Sequence, residues 1–402
     1  MMSTDTALAA HLTGHPLVAR IRTLLGADSV CAVGGVVRDA LLARAPGDDI
    51  DLVVEGDALA LAERLAERLR APLTLFPRFG TAEIALDDGR IDIAGARREH
   101  YPRAGELPEV EPGTLMEDLA RRDFTVNAMA FGLSGPHAGR LLDPHDGRRD
   151  LALGLLRTLR PGSLREDPSR LVRAARYVAR LDLRFAAEVE GEAREVASAL
   201  AIDNARVGEE LPRLLREATA ARALATLAAL GVPWIEPDPT SRVAAVDRAI
   251  ERLPIASVEF WALRAGAAIV PAALAVAAMP GWARVQGREV RDGESLAAAL
   301  ARDPRPSAVD RLLRSARPAA VIGAWACGCA EEAVARWWNV DRERTLAICG
   351  HDLRRAGVAA GPAIGRGLRA AREAMIDGRA DDREQQLTVA LRGAGQDEEG
   401  VR

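Results

Sequence analysis

Two aspartates two residues apart, Asp49 and Asp51, follow closely on a glycine pair, Gly34-Gly35. On a strand, side chains at i and i+2 leave the same face. Asp49 and Asp51 would therefore form an oxygen-rich pair suited to Mg²⁺, a hard cation that is bound through carboxylates and bridges to substrate phosphates. By the same alternation Asp48 points to the other face. Gly34-Gly35-Val36-Val37-Arg38-Asp39 sits between a short apolar strand and a helix. Such a turn offers free backbone N–H groups at the positive end of a helix dipole, and its glycines let a triphosphate come close. Arg38 adds positive charge one turn in. The plainer alternative is a strand–turn–helix junction with a solvated acidic strand start. Order and spacing together favour the metal and phosphate reading. Asp92, in Arg90-Ile91-Asp92-Ile93, is a third candidate carboxylate. An acid turned inward between two isoleucines is costly unless it is paired or ligates a metal. Turned outward, it is an ordinary edge-strand acid.

Two further clusters offer donors and acceptors together. In Arg121-Arg122-Asp123-Phe124-Thr125-Val126-Asn127, a guanidinium fork, a carboxylate and an amide suit ribose hydroxyls and phosphate oxygens. Alone, the same residues would serve as a surface ion pair ahead of a strand. Glu166-Asp167-Pro168-Ser169-Arg170 then runs into Leu171-Val172-Arg173-Ala174-Ala175-Arg176. At 100° per residue, Asp167, Arg170, Arg173 and Arg176 form one row, with Leu171, Val172 and Ala175 opposite. Residues 156–185 hold eight Arg and three acids, a local excess of +5 in a chain of net charge −4. The row is either a solvated face or a reader of a base and its phosphates. His145-Asp146 and His351-Asp352 resemble phosphohydrolase metal ligands in outline, but six histidines in all leave few spare ligands.

The elements that must position these groups divide the chain. Val30–Val33, Ile50–Val54, Thr81–Leu86 and Arg90–Ala94 read as strands, the last two joined across the turn signal Asp87-Asp88-Gly89. Ala58–Arg70 reads as an amphipathic helix. From Leu155 onward strand signals almost vanish and Ala, Leu, Arg and Glu dominate, so the remainder is helical. At 402 residues, two to four domains are expected. All 54 basic residues are Arg, with no Lys, which excludes a Walker A loop and any lysine Schiff base. Cys31, Cys327, Cys329 and Cys349 are too few and too uneven for a disulfide framework and read as small buried thiols. The first twelve residues lack the basic start and apolar core of a signal peptide. The longest uncharged run, Ala265–Ala283, is interrupted by Pro271 and Pro280 and reads as buried helices rather than a membrane span. The chain reads as cytoplasmic.

In series, these segments resemble the class II tRNA nucleotidyltransferase and bacterial poly(A) polymerase family, the CCA-adding enzymes of the polymerase β superfamily. The matching stretches are GGVVRD (34–39) with DID (49–51), RRDFTVNA (121–128), LLDPHDGRRDL (141–151), EDPSRLVRAARY (166–177) and GHDLRRAGVAAGPAIG (350–365). Dense matching covers roughly 28–185, while 235–345 matches little. The resemblance implies an α+β fold: an N-terminal polymerase β-like nucleotidyltransferase head, with a small mixed sheet and helices, then an all-α neck, body and tail. The implied boundaries are a helical lead-in over 1–27, the head over 28–155, the neck over 156–235, and a tRNA-binding body and tail over 236–402. The implied activity is template-independent addition of C, A or both from CTP and ATP to the 3′ end of tRNA, by two-metal in-line transfer releasing pyrophosphate. Asp49 and Asp51 would hold Mg²⁺, with Asp92 as the third carboxylate. Gly34, Gly35 and Arg38 would contact the triphosphate, and Arg122, Asp123 and Asn127 the ribose and phosphates. Asp167 and Arg170 would read the Watson–Crick edge of the incoming base, supported by Arg173 and Arg176. The implied partner is the tRNA acceptor stem and elbow, with no membrane, and a second nucleotidyltransferase if the activity is split. CC-only, A-only, poly(A)-adding and inactive RNA-binding members are the alternatives. The untruncated segment between Arg98 and Asp118 favours CCA or A addition, and the lack of a strongly basic C-terminal extension disfavours poly(A) synthesis.

Overall fold

The computed structural model describes residues 4–44, 49–87, 89–100, 109–253, 255, 258–328 and 331–395. Asp48 and Cys329 lie outside the described residues, as does the centre of the 98–118 segment. The chain splits into two compact units, Met1–Leu200 and Ala201–Arg402.

The first unit opens with helices α1 (Thr4–Gly14) and α2 (Pro16–Leu24), followed by strand β1 (Ser29–Val33), α3 (Gly35–Leu41), β2 (Asp49–Glu55) and α4 (Ala58–Leu69). Strands β3 (Leu73–Phe76), β4 (Thr81–Leu86) and β5 (Gly89–Gly95) come next, then a separate antiparallel pair, β6 (Arg97–His100) with β7 (Glu109–Pro112). Helix α5 (Leu115–Ala120), strands β8 (Ala130–Gly132) and β9 (Leu141–Leu142), and α6 (Gly147–Leu153) complete the head. The seven-stranded sheet has the order β3-β4-β5-β2-β1-β8-β9. Within it β2 and β5 run parallel and the other neighbours antiparallel, which makes it the expected small mixed sheet.

Strand β2 shows how sequence pattern becomes a site. Ile50, Leu52 and Val54 alternate into the main core beside Leu61, Leu65, Ile91 and Ile93. Asp49, Asp51, Val53 and Glu55 leave the other face. That face is apolar only where α5 covers it: Val53 packs with Cys31, Val33, Leu115 and Leu119. Glu55 accepts the Leu115 N–H at 2.8 Å, tying down the first turn of α5. Asp49 and Asp51 lie at the uncovered end and stay open.

After β10 (Leu155–Leu156) come α7 (Ser163–Glu166), α8 (Ser169–Leu181), β11 (Arg184–Phe185) and α9 (Ala187–Ser198). The named elements of the second unit, from Ala205–Arg216 to Arg383–Gly393, are all helices. Its helices approach closely at glycines. A Cβ on Gly323 would fall 2.1 Å from the Val290 carbonyl, and one on Gly266 2.4 Å from that of Gly287. The uncharged run is broken into helices Phe260–Ala268, Pro271–Val276 and Gly281–Arg302, each proline starting or preceding a helix. Among the described residues no helix is long and apolar enough to cross a membrane. Cys31 is buried as expected, but Cys327 and Cys349 are exposed, because both fall at helix edges rather than in a core.

Candidate active site

The acid face is assembled across three strands. Asp51 on β2 stands in register with Asp92 on β5, which stands in register with Glu83 on β4. Asp49 lies opposite Arg90. Arg90 reaches all three neighbouring acids: Asp49 at 3.2 Å, Asp92 at 3.0 Å and Glu83 at 3.6 Å. Asp92 is thus turned away from its flanking isoleucines, which are buried on the other side. Burial raises Asp51 above the usual carboxylate range, with Asp49 adding to the shift and Arg122 and Arg90 opposing it. Asp51 is solvent-exposed as a residue yet flanked by the Gly34 turn. Asp92 is raised as well, by burial first and then by Asp51, Glu83 and Asp49, against Arg90.

The glycine turn closes over this face. Gly34 adopts φ +69°, and a Cβ there would lie 3.1 Å from Arg122 Nη1 and 3.7 Å from Asp51 Oδ2. The turn, the second acid and Arg122 are therefore direct neighbours. Arg122 is aimed by Asp118, a fully buried carboxylate whose Oδ2 accepts from Arg122 Nη2 at 3.0 Å while Oδ1 accepts from Arg121 Nη2 at 2.6 Å.

Arg38, expected to contact the triphosphate, has protein partners of its own. It is buried, donates through Nε and Nη2 to Asp39 at 2.9 and 3.0 Å, and donates through Nη1 to Asn127 Oδ1 at 2.6 Å. Tyr177 lies under its guanidinium at 5.3 Å. Asn127 in turn donates to Asp123 Oδ1 at 3.1 Å, and Arg173 pairs with Asp123 Oδ2 at 2.8 Å. Burial alone would raise Asp123. Arg173, with hydrogen bonds from Asn127 and the Phe124 N–H, outweighs it and holds Asp123 below the usual range. Three motifs well separated in sequence thus share one polar network.

The Asp167 row also needs correction. Arg170, Arg173 and Arg176 lie on α8, but Asp167 does not. It is the residue after α7, with φ −136° and ψ 91°, and its Oδ1 accepts from the Ser169 N–H and hydroxyl at 3.1 and 2.6 Å. The cause is local: a residue before proline is pushed out of helical conformation, and Pro168 follows. Asp167 and Arg170 are both buried, their charged groups 3.8 Å apart. Arg176 stacks 4.9 Å from the Tyr177 ring.

The donor set of Asp49, Asp51 and Asp92 fits a divalent ion: carboxylates on one open face, two of them held above their usual range chiefly by burial, against the nearby arginines. Among the described residues, no three His, Cys, Asp or Glu side chains converge to cage an ion on their own. Mg²⁺ in general uses one or two carboxylates and completes its shell with water and substrate phosphates. Asp352 of the second His-Asp doublet is engaged in capping and ion pairs. Asp352 accepts the Cys349 N–H and pairs with Arg355 and Arg383, which brings it down to about 2. Next to His145-Asp146, Asp143 accepts the N–H groups of Gly147 and Arg148.

Residues 30–157 match the Poly A polymerase head domain family. The CC-adding tRNA nucleotidyltransferase of Deinococcus radiodurans is 37% identical over 345 residues, spanning 85% of this chain and 84% of that protein. The chain belongs to the tRNA nucleotidyltransferase family. The A-adding enzyme of Aquifex aeolicus is 47% identical over 158 residues, which are 39% of this chain and 19% of that longer protein. The structure of a Thermotoga maritima CCA-adding enzyme complexed with tRNA superposes with a TM-score of 0.76 at 26% identity, covering 96% of this chain and 98% of that one. This tRNA nucleotidyltransferase thus has the α+β head and helical remainder of the family. Within it, Asp118 is the site-positioning residue that motif reading passed over. Its i+3 and i+4 spacing to Arg121 and Arg122 was the available signal.

Proposed function

We propose that this chain extends the 3′ end of tRNA with C, A or both, taken from CTP and ATP. The observation that carries the reading is Asp51, beside Asp49 on one strand face, standing next to the Gly34 turn and Arg122. Asp49 and Asp51 are the residues that would hold Mg²⁺, which when bound activates the RNA 3′-hydroxyl and neutralises charge developing on the leaving pyrophosphate. Asp92 supports their field from β5. Gly34 and Gly35 leave room for the triphosphate at the turn. Arg122, braced by Asp118, supplies fixed positive charge where the phosphates would lie. Arg38, Asp123 and Asn127 brace the ribose side of the site, with Arg38 acting through Asn127. Asp167 and Arg170 offer an acceptor and a donor fork to the base edge, with Arg173 and Arg176 alongside. Under this reading 28–155 is the catalytic head, 156–235 carries nucleotide selection, and 236–402 grips the tRNA in the cytoplasm.

A narrower reading, addition of CC alone, is favoured by the CC-adding relative that aligns along most of the chain. The test is extension of tRNAs ending before CCA, after C and after CC, with Mg²⁺ and CTP or ATP, resolved at single nucleotides. Growth through CCA on the shortest tRNA supports the full activity. Arrest after CC supports the narrower one and implies a partner enzyme. Asp49→Ala abolishes incorporation while tRNA binding persists; incorporation at the native rate by that variant overturns the metal assignment.

A further inference from the structure

Glu192 has no place in the motifs or in the chemistry above, yet its carboxylate is buried in the middle of α9. Both oxygens are used by one turn of the neck. Oε2 accepts the Gly162 N–H at 3.1 Å, and Oε1 accepts the N–H groups of Leu164 and Arg165 at 2.8 and 3.0 Å. Three amides converging on one carboxylate fix that turn far more rigidly than packing would, because charge-assisted hydrogen bonds are the stronger kind.

What the turn carries gives this clamp its meaning. Ser163, between the clamped amides, receives Arg170: the guanidinium Nη1 donates to the Ser163 hydroxyl and to its carbonyl at 3.4 Å. One helical turn later the same segment ends at Asp167. Both members of the Asp167–Arg170 pair therefore take their positions from the segment that Glu192 holds. At its start Gly162 is in the left-handed region at φ +82°.

We propose that Glu192 is a positioning residue for nucleotide selection, setting the spacing and aim of Asp167 and Arg170 through the 162–165 turn. The inference rests on the reading of that pair as the base-contacting groups. Loosening the clamp degrades discrimination between bases before it degrades the transfer step, because the three hydrogen bonds to Glu192 all come from the 162–165 turn rather than from β2 or β5.

The experiment uses the full-length protein and a tRNA ending before CCA, with CTP, ATP, UTP and GTP supplied separately. Glu192→Gln keeps the shape but turns an N–H₂ toward amide donors. Its expected result is a ~10-fold rise in KM for the accepted nucleotide and a ~10-fold rise in relative misincorporation, with kcat at saturation changed far less. Far-UV circular dichroism and tRNA filter binding stay as in the native protein. Ser163→Ala, which removes a receptor of Arg170 without touching Glu192, moves discrimination in the same direction, and the double variant is less than additive. A Glu192→Gln variant that loses thermal stability and kcat while keeping native discrimination overturns the proposal. If that variant does not fold, Ser163→Ala decides, and native discrimination there overturns it. Asp167→Asn separates the two readings. Lost discrimination in Asp167→Asn with native behaviour in Glu192→Gln sinks the Glu192 role alone. Intact discrimination in Asp167→Asn sinks the base-contact reading beneath it.

Discussion

An acid on the open face of the sheet is worth keeping only if something offsets its charge. Asp51 is held above the usual carboxylate range by burial and Asp49, and Asp92 by burial and its three acidic neighbours. A raised native pKa means that ionisation costs the folded state something at every pH above that pKa. Removing the charge in Asp51→Asn is therefore expected to leave the metal-free protein at least as stable as the native one. Added Mg²⁺ raises Tm in the native protein and not in the variant, while incorporation falls on the order of 10²- to 10³-fold. A variant with a lower metal-free Tm would show the carboxylate to be structural. Asp123 has the opposite sign. Its pKa is depressed in the folded state, so its stabilisation is present above its unfolded value, about 3.9, and is lost as pH falls through the lower native value. In thermal scans from pH 7 down to pH 3, the Tm gap between native protein and Asp123→Asn is expected to be widest near neutrality and to narrow below about pH 4.

Elements convert these charges into a site, and Gly34 is where the conversion is tightest. At φ +69° an L side chain is strained by about 1 kcal/mol, and a Cβ there meets Arg122 at 3.1 Å. Gly34→Ala is thus expected to lose about 1–2 kcal/mol in urea unfolding, and to lose activity well beyond that, through displacement of Arg122. Equal loss in Gly35→Ala, where a Cβ would sit 3.5 Å from Arg38 Nη2, would count against the specific role of the Gly34 turn. The same elements show why some of the site was readable in advance. The β2 alternation is local, so Ile50, Leu52 and Val54 pointed inward and Asp49 and Asp51 outward on sequence alone. The hairpin across Gly89 was equally legible from its turn residues. Arg38 was not, because one of its partners, Asn127, lies 89 residues away, and no spacing rule reports that a guanidinium will be engaged by the protein itself. Asp167 was misplaced on α8 although the signal was present: Pro168 forbids the helical conformation that the i+3 row required. Glu192 carried no signal, since an acid in an Ala- and Glu-rich helix looks solvated until its three amide partners are seen.

At the scale of the whole molecule the governing fact is composition: 54 arginines, no lysine and a net charge of −4. Any grip on a polyanion must then come from guanidinium groups gathered locally, as in the +5 stretch of residues 156–185. Many of the arginines at the site are already engaged: Arg90 with three acids, Arg122 with Asp118, Arg173 with Asp123. These pairs hold forks in place rather than cancel them, because a fixed guanidinium beside a carboxylate still presents N–H groups outward. Arginine cannot be deprotonated at any working pH, so tRNA affinity is expected to change little between pH 7 and 9 and to fall steeply with salt. Its slope in log K against log salt should approach −0.7 to −0.9 per phosphate contacted. A chemical test follows from the same count. An amine-acylating reagent, which silences lysine-based RNA binders, finds no lysine side chain here and is expected to leave incorporation and tRNA binding intact. An arginine-selective dicarbonyl reagent abolishes both, and prior saturation with CTP and Mg²⁺ slows the loss of incorporation more than the loss of binding, since nucleotide shields the head while tRNA contacts elsewhere stay open. Equal protection of both activities by CTP would mean that the arginines gripping tRNA are those of the nucleotide site itself.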